Sequence, residues 1–228
     1  MTADNRARMR EVLRAAVGKA LLPGAELTHP GRFTPPATAP YDLIERFRTE
    51  LTKLGGAVHD ARNLEDVVAV IRGLAGQDAS VAEPRVMMWD ESQLPVQGLG
   101  AALAASGMTI LTQSPDTAAS AAHRQELASA TVGITGADGG LAETGSIVLA
   151  SGPGRGRLAS LLPPIHVALL KRSLMVESLP VFIGLHPEVV TSGANFVCIT
   201  GPSRTADIEH VLARGVHGPR EIHVVLVD

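Results

Sequence analysis

The chain has 228 residues, of which 45% are hydrophobic and 3% aromatic, and its formal net charge is −3. That length and apolar content excludes a disordered polypeptide and suffices for one large core. The few aromatics and the negative balance exclude base-stacking single-strand binders and any global attraction to nucleic acid or anionic membrane.

Residues 2 to 20 show helical spacing: Met9, Val12, Leu13, Ala16 and Val17 share one face, and Arg6, Arg10 and Arg14 line another. Leu22 to Pro40 carries five prolines, which forbid a helix or a central strand. The expected organisation is therefore a helical arm over 1–21, a Pro-rich linker over 22–40 and an α/β domain over 41–228.

From Tyr41 an α/β rhythm begins. Leu43, Ile44, Phe47 and Leu51 predict a helix that Gly55-Gly56 stops. A short strand follows at Ala57 to His59, then a helix capped by Asn63. Ser80 to Ala82 and Val86 to Trp89 read as strand fragments. LGAALAASGMTILTQ reads as helix, glycine stop and strand, and Ser114-Pro115-Asp116 as a helix start running on to Ala130. Such alternation predicts a largely parallel central sheet with helices on both faces. In such sheets ligands bind beyond the carboxyl ends of strands, here the loops after Ile134, Leu149 and Thr200.

Four stretches carry residue types suited to chemistry. ITGADGGLAETGSIVL joins two strands through Gly136, Asp138, Glu143 and Thr144. Asp138 and Glu143 are candidates for a base, a nucleophile or a hydroxyl-binding pair, and equally for turn and capping carboxylates. SGPGRGR brings Gly154, Arg155, Gly156 and Arg157 together. Its backbone amides and guanidinium groups suit an anion, though it is not a GxxxxGK[ST] phosphate loop. His166 stands early in the apolar run LLPPIHVALLK, either as a buried histidine or as a site residue at the strand's start. In TGPSRTADIEHVLARGVHGPR, Ser203 and Arg204 follow a strand, with a helix expected from Thr205 or Ala206, and His217 and Arg220 precede the last strand.

Cys198, in NFVCIT, is the only cysteine and reads as part of a buried strand. No disulfide, cysteine zinc site or iron–sulfur cluster can be held by this chain alone. The eight histidines are scattered, without HExxH, and no metal is expected. The N-terminus has no apolar signal core and no apolar run reaches membrane-spanning length, so no membrane insertion and a cytoplasmic setting are expected.

GITGADGGLAETGSIVL, GRGRLASLLPPIHVALL and ITGPSRTADIEHVLARGVHGPREIHVVL, in that order, resemble the LUD-domain family over roughly Tyr41 to Asp228. The resemblance implies a fold like that of ribose-5-phosphate isomerase and the CoA-transferases. It implies association with oxidation of L-lactate to pyruvate, alongside two partner proteins that carry iron–sulfur clusters. The single cysteine agrees with the cluster-free component. The expected ligand is a small carboxylate- or phosphate-bearing anion, and homo-oligomerisation is left open. Two alternatives stand beside it: an enzyme of sugar-phosphate isomerase or CoA-transferase type using Glu143, and an interaction module without catalysis.

Overall fold

The computed structural model describes residues 8–9, 11–12, 14–15, 42–76, 83–112, 121–192, 195–206, 212–214 and 218–228. The chain divides into two compact units, Met1–Phe33 and Thr34–Asp228. In the first, the described residues are helical, and Met9 and Val12 are exposed. The 22–40 linker, Ser80 to Ala82 and Ser114-Pro115-Asp116 lie outside the described residues.

The second unit is organised on a six-stranded sheet in the order β1-β12-β7-β4-β2-β3, parallel throughout. Its strands are β1 (Ala57–Asp60), β2 (Arg85–Met88), β3 (Thr109–Thr112), β4 (Val132–Gly136), β7 (Ile165–Lys171) and β12 (Glu221–Val227). Parallel strands covered on both faces read as unbroken apolar runs, which explains VGITG, IHVALLK and EIHVVLV. Val86, Met87, Ile134, Leu169, Leu170, Val224 and Val225 form the centre of the core.

Local signals set the helices. Asp42 accepts from the amides of Ile44 (2.9 Å) and Glu45 (3.3 Å) to start Leu43–Lys53, with Glu45 in the first turn and Lys53 in the last. Asn63 accepts from the Asp66 amide at 2.9 Å to start Leu64–Ala75. Leu99–Ala105 leads through Gly107 into β3, and Ala121–Ala128 precedes β4. Helices Leu64–Ala75 and Leu99–Ala105 pack on one face of the sheet, where Gly100 lies against Met88. Leu51 of helix Leu43–Lys53 packs toward Ile222 on the other.

Beside the expected parallel central sheet lies a second, mixed sheet ordered β8-β5-β6-β9, which the strand-helix alternation did not announce. It comprises β5 (Gly139–Leu141), β6 (Ser146–Ser151), β8 (Met175–Val176) and β9 (Asn195–Ile199). The Gly139-Gly140 pair, read from sequence as flexible loop, is a buried strand. A side chain at Gly140 would stand 2.7 Å from both Leu170 Cδ2 and Met175 Sδ, so the glycine is there for close packing. Cys198 is corrected as well: β9 is an edge strand of this sheet and the residue is exposed, not buried in a core. Its surroundings are still dense enough that desolvation pushes the thiol pKa up.

The helix expected from Thr205 or Ala206 is also corrected. Arg204–Ala206 forms β10 and pairs antiparallel with β11 (Leu212–Arg214), so Ala206 opposes Leu212. Local polar-cap signals were outweighed there by cross-strand pairing.

Candidate functional site

Parallel strands point their carboxyl ends the same way, and at the ends of the adjacent strands β2, β4 and β7 a cavity of about 470 Å³ opens. Small-molecule sites typically occupy about 300–1,000 Å³. Beyond β2 lie Trp89, Ser92 and Gln93; beyond β4, Asp138; at the end of β7, Lys171 and Ser173. His186 and Val189 line it from the segment of helices Leu179–Leu185 and Pro187–Ser192.

Arg155 reaches the cavity from a tight turn. Its amide donates to the Gly152 carbonyl at 3.0 Å, Pro153 is the second residue, and Gly154, the third, has φ 72°. Proline followed by a positive-φ glycine is the requirement of a type II turn. The Asp90 amide donates to the Gly154 carbonyl at 2.9 Å, which ties the turn to the end of β2. The SGPGRGR stretch is thus a turn that projects a side chain, and its Arg155 amide is consumed inside it.

The guanidinium is held on three sides. Nη1 donates to Asp138 Oδ1 at 2.7 Å, Nε donates to Gln93 Oε1 at 2.9 Å, and the Trp89 ring centroid lies 5.3 Å from Cζ. Trp89 is fixed in turn, its indole N–H donating to the Gly156 carbonyl at 3.0 Å. Nη2 has no hydrogen bond among the described residues. Asp138 does double duty: its amide donates to the Val148 carbonyl at 2.8 Å, and Oδ2 accepts from the Ala150 amide at 2.7 Å. The carboxylate extends the β5–β6 ladder at the point where the chain leaves the large sheet for the small one.

The model of the family described as the LUD domain matches residues 44–227. The chain belongs to the LUD-domain family. A lactate utilization protein C of Halalkalibacterium halodurans is 45% identical over 106 residues, which are 43% of this chain and 45% of that protein. One from Shouchella clausii is 34% identical over 146 residues, 63% of this chain and 62% of that protein. The matched part therefore spans about half the length of these curated relatives. A crystal structure of a DUF162 family protein from Deinococcus radiodurans superposes with a TM-score of 0.58 at 22% identity, covering 82% of this chain and 96% of that one. At that identity the likeness concerns the fold.

Within this LUD domain, Gly136, Asp138 and Arg155 line the cavity together. Gly154 and Gly156 position Arg155 and Trp89 through their carbonyls. Arg157 is exposed at the start of the 3-10 turn Arg157–Ser160. Glu143 is exposed on the β5–β6 turn, apart from the cavity lining, with its amide donating to the Glu177 carbonyl at 2.9 Å. Thr144 beside it bonds Ser146 Oγ at 2.7 Å.

His166, Ser203 and Arg220 sit toward the opposite, amino ends of the strands. The Ser203 amide donates to the Pro219 carbonyl at 2.9 Å, and the Arg220 amide to the Pro164 carbonyl at 2.8 Å. His166 is 1% exposed, and its Nε2 shares a 2.9 Å hydrogen bond with Thr135 Oγ1. Burial, and after it the nearby His223, push its pKa down to about 3. Arg204 lies on β10, and His217 is outside the described residues.

Sequence reasoning passed over Trp89, Ser92, Gln93 and Lys171. The signal was present: the polar run WDESQ follows a strand directly, Lys171 ends the apolar run of β7, and the strand-end rule applies to both.

Proposed function

We propose that this LUD domain serves a lactate-utilization system, and that its cavity at the ends of β2, β4 and β7 holds a small ligand bearing a carboxylate or phosphate. One observation carries the binding part: Arg155 is locked by Asp138, Gln93 and Trp89 at the rim of the cavity. A guanidinium already ordered loses little entropy when it meets an anion. The names of the curated relatives supply the lactate context.

Oxidation of lactate to pyruvate removes two electrons and two protons, and the electrons need an acceptor. One cysteine cannot supply the ligand set of an iron–sulfur cluster, so in this reading the clusters stand on partner proteins that receive the electrons.

Trp89 is the only tryptophan and touches the cavity, so its emission reports occupancy directly. Titration with L-lactate, pyruvate and inorganic phosphate is expected to give a saturable change with at least one of them. Affinity capture from native extract is expected to recover iron–sulfur proteins. No emission or melting-temperature response to any of the three would overturn the binding part. Absence of cluster proteins from the captured fraction would overturn the partner part.

A further inference from the structure

The ionised groups that line the cavity are few enough to count. Asp138 and Arg155 face each other at 2.7 Å and cancel, and the His186 ring has the Glu188 carboxylate 3.5 Å from its Nδ1. Lys171 closes β7 as an exposed residue lining the same cavity, and its ammonium has no ion pair or hydrogen bond among the described residues. Ser92, Ser173 and Gln93 add neutral hydrogen-bonding groups.

We infer that Lys171 is the anchoring charge of the site and that the site selects a monocarboxylate over a phosphate. This rests on the cavity being the ligand site, as proposed above. With Arg155 facing Asp138 and His186 facing Glu188, Lys171 is the lining cation without an acidic partner among the described residues, and its single charge balances a monoanion. A phosphate dianion entering the same space would leave one negative charge uncompensated beside the Asp138 carboxylate, where low dielectric enlarges the repulsion. The Arg155 amide adds nothing to anion binding, because it is bonded within its own turn. The pinned guanidinium offers Nη2 as an oriented donor, and Lys171, a flexible point charge, supplies the Coulombic attraction. The serine hydroxyls suit a neutral hydroxyl on the same ligand.

The test is Trp89 emission, checked by calorimetry, with L-lactate and inorganic phosphate as probes on the wild type, Lys171→Met, Lys171→Arg and Asp138→Asn. The wild type is expected to bind lactate at least tenfold more tightly than phosphate. Lys171→Met is expected to weaken lactate at least tenfold with its melting temperature unchanged, because the residue is exposed, and Lys171→Arg to restore most of the loss. Asp138→Asn releases the Arg155 charge and is expected to raise phosphate affinity severalfold. Equal binding of the two anions by the wild type, or an unaltered lactate affinity in Lys171→Met, overturns the assignment while leaving the cavity as the site. Failure of both probes to bind the wild type overturns this assignment, and failure of pyruvate as well overturns the proposed site with it.

Discussion

Replacing Asp138 by alanine removes two bonds at once, and the structure fixes what each is worth. The Ala150 amide, on a residue that is 6% exposed, loses its 2.7 Å acceptor. An orphaned buried donor costs about 1–3 kcal/mol. Arg155 loses its ion partner, but with side-chain exposures of 29% and 13% the pair lies between surface and core. Surface pairs are worth about 0–1 kcal/mol and breaking buried ones costs about 3–5 kcal/mol, so about 1–2 kcal/mol is appropriate here, the more so because Arg155 keeps Gln93 and Trp89. Together the two losses predict about 3 kcal/mol for Asp138→Ala. Asp138→Asn retains an acceptor for Ala150 and should lose about half as much. Urea denaturation at neutral pH, followed by circular dichroism, measures both, and a double-mutant cycle with Arg155→Met should return a coupling of about 1 kcal/mol. A loss below about 1 kcal/mol for the alanine variant, or equal losses for alanine and asparagine, would refute the dual role given to this carboxylate.

Acid should destabilise the protein through His166, whose pKa is 6.5 when unperturbed and about 3 in the fold. The unfolded chain takes up a proton there that the folded one refuses, so this group's contribution is complete above pH 6.5 and is lost as the pH falls toward 3. At pH 5 the loss is about 2 kcal/mol. His166→Gln should remove that part of the difference between urea midpoints at pH 7 and pH 5, and an unchanged difference would count against a neutral buried imidazole. Gly145→Ala should cost about 2–3 kcal/mol, because the residue has φ 65° and the new methyl would stand 2.3 Å from the Leu51 backbone nitrogen. A melting temperature equal to wild type would show that the β5–β6 turn can move away from helix Leu43–Lys53.

Much of the fold was legible because its causes are local. Gly55, Asn63 and Gly107 start or stop elements through neighbours in sequence, and the buried parallel strands announce themselves as apolar runs. β5 was not legible, since Gly139 and Gly140 look like loop until Leu170, Met175 and Phe182 are seen pressing on them. The strand at Arg204–Ala206 depends in the same way on Leu212–Arg214, a partner beyond the reach of a capping signal.

The sequence by itself determined an α/β chain with an anion-suited arginine turn, because turn chemistry and strand periodicity act over a few residues. Only the tertiary structure decided which of the candidate residues share a site. Sheet order makes β2, β4 and β7 neighbours although long stretches of chain separate them, and so brings Gln93, Asp138 and Lys171 to one cavity. The same order sends β9 to a different sheet and leaves Ser203 and Arg220 toward the far end of the strands. Strand pairing is a long-range choice set by burial of whole faces, and a motif read along the chain carries no record of it.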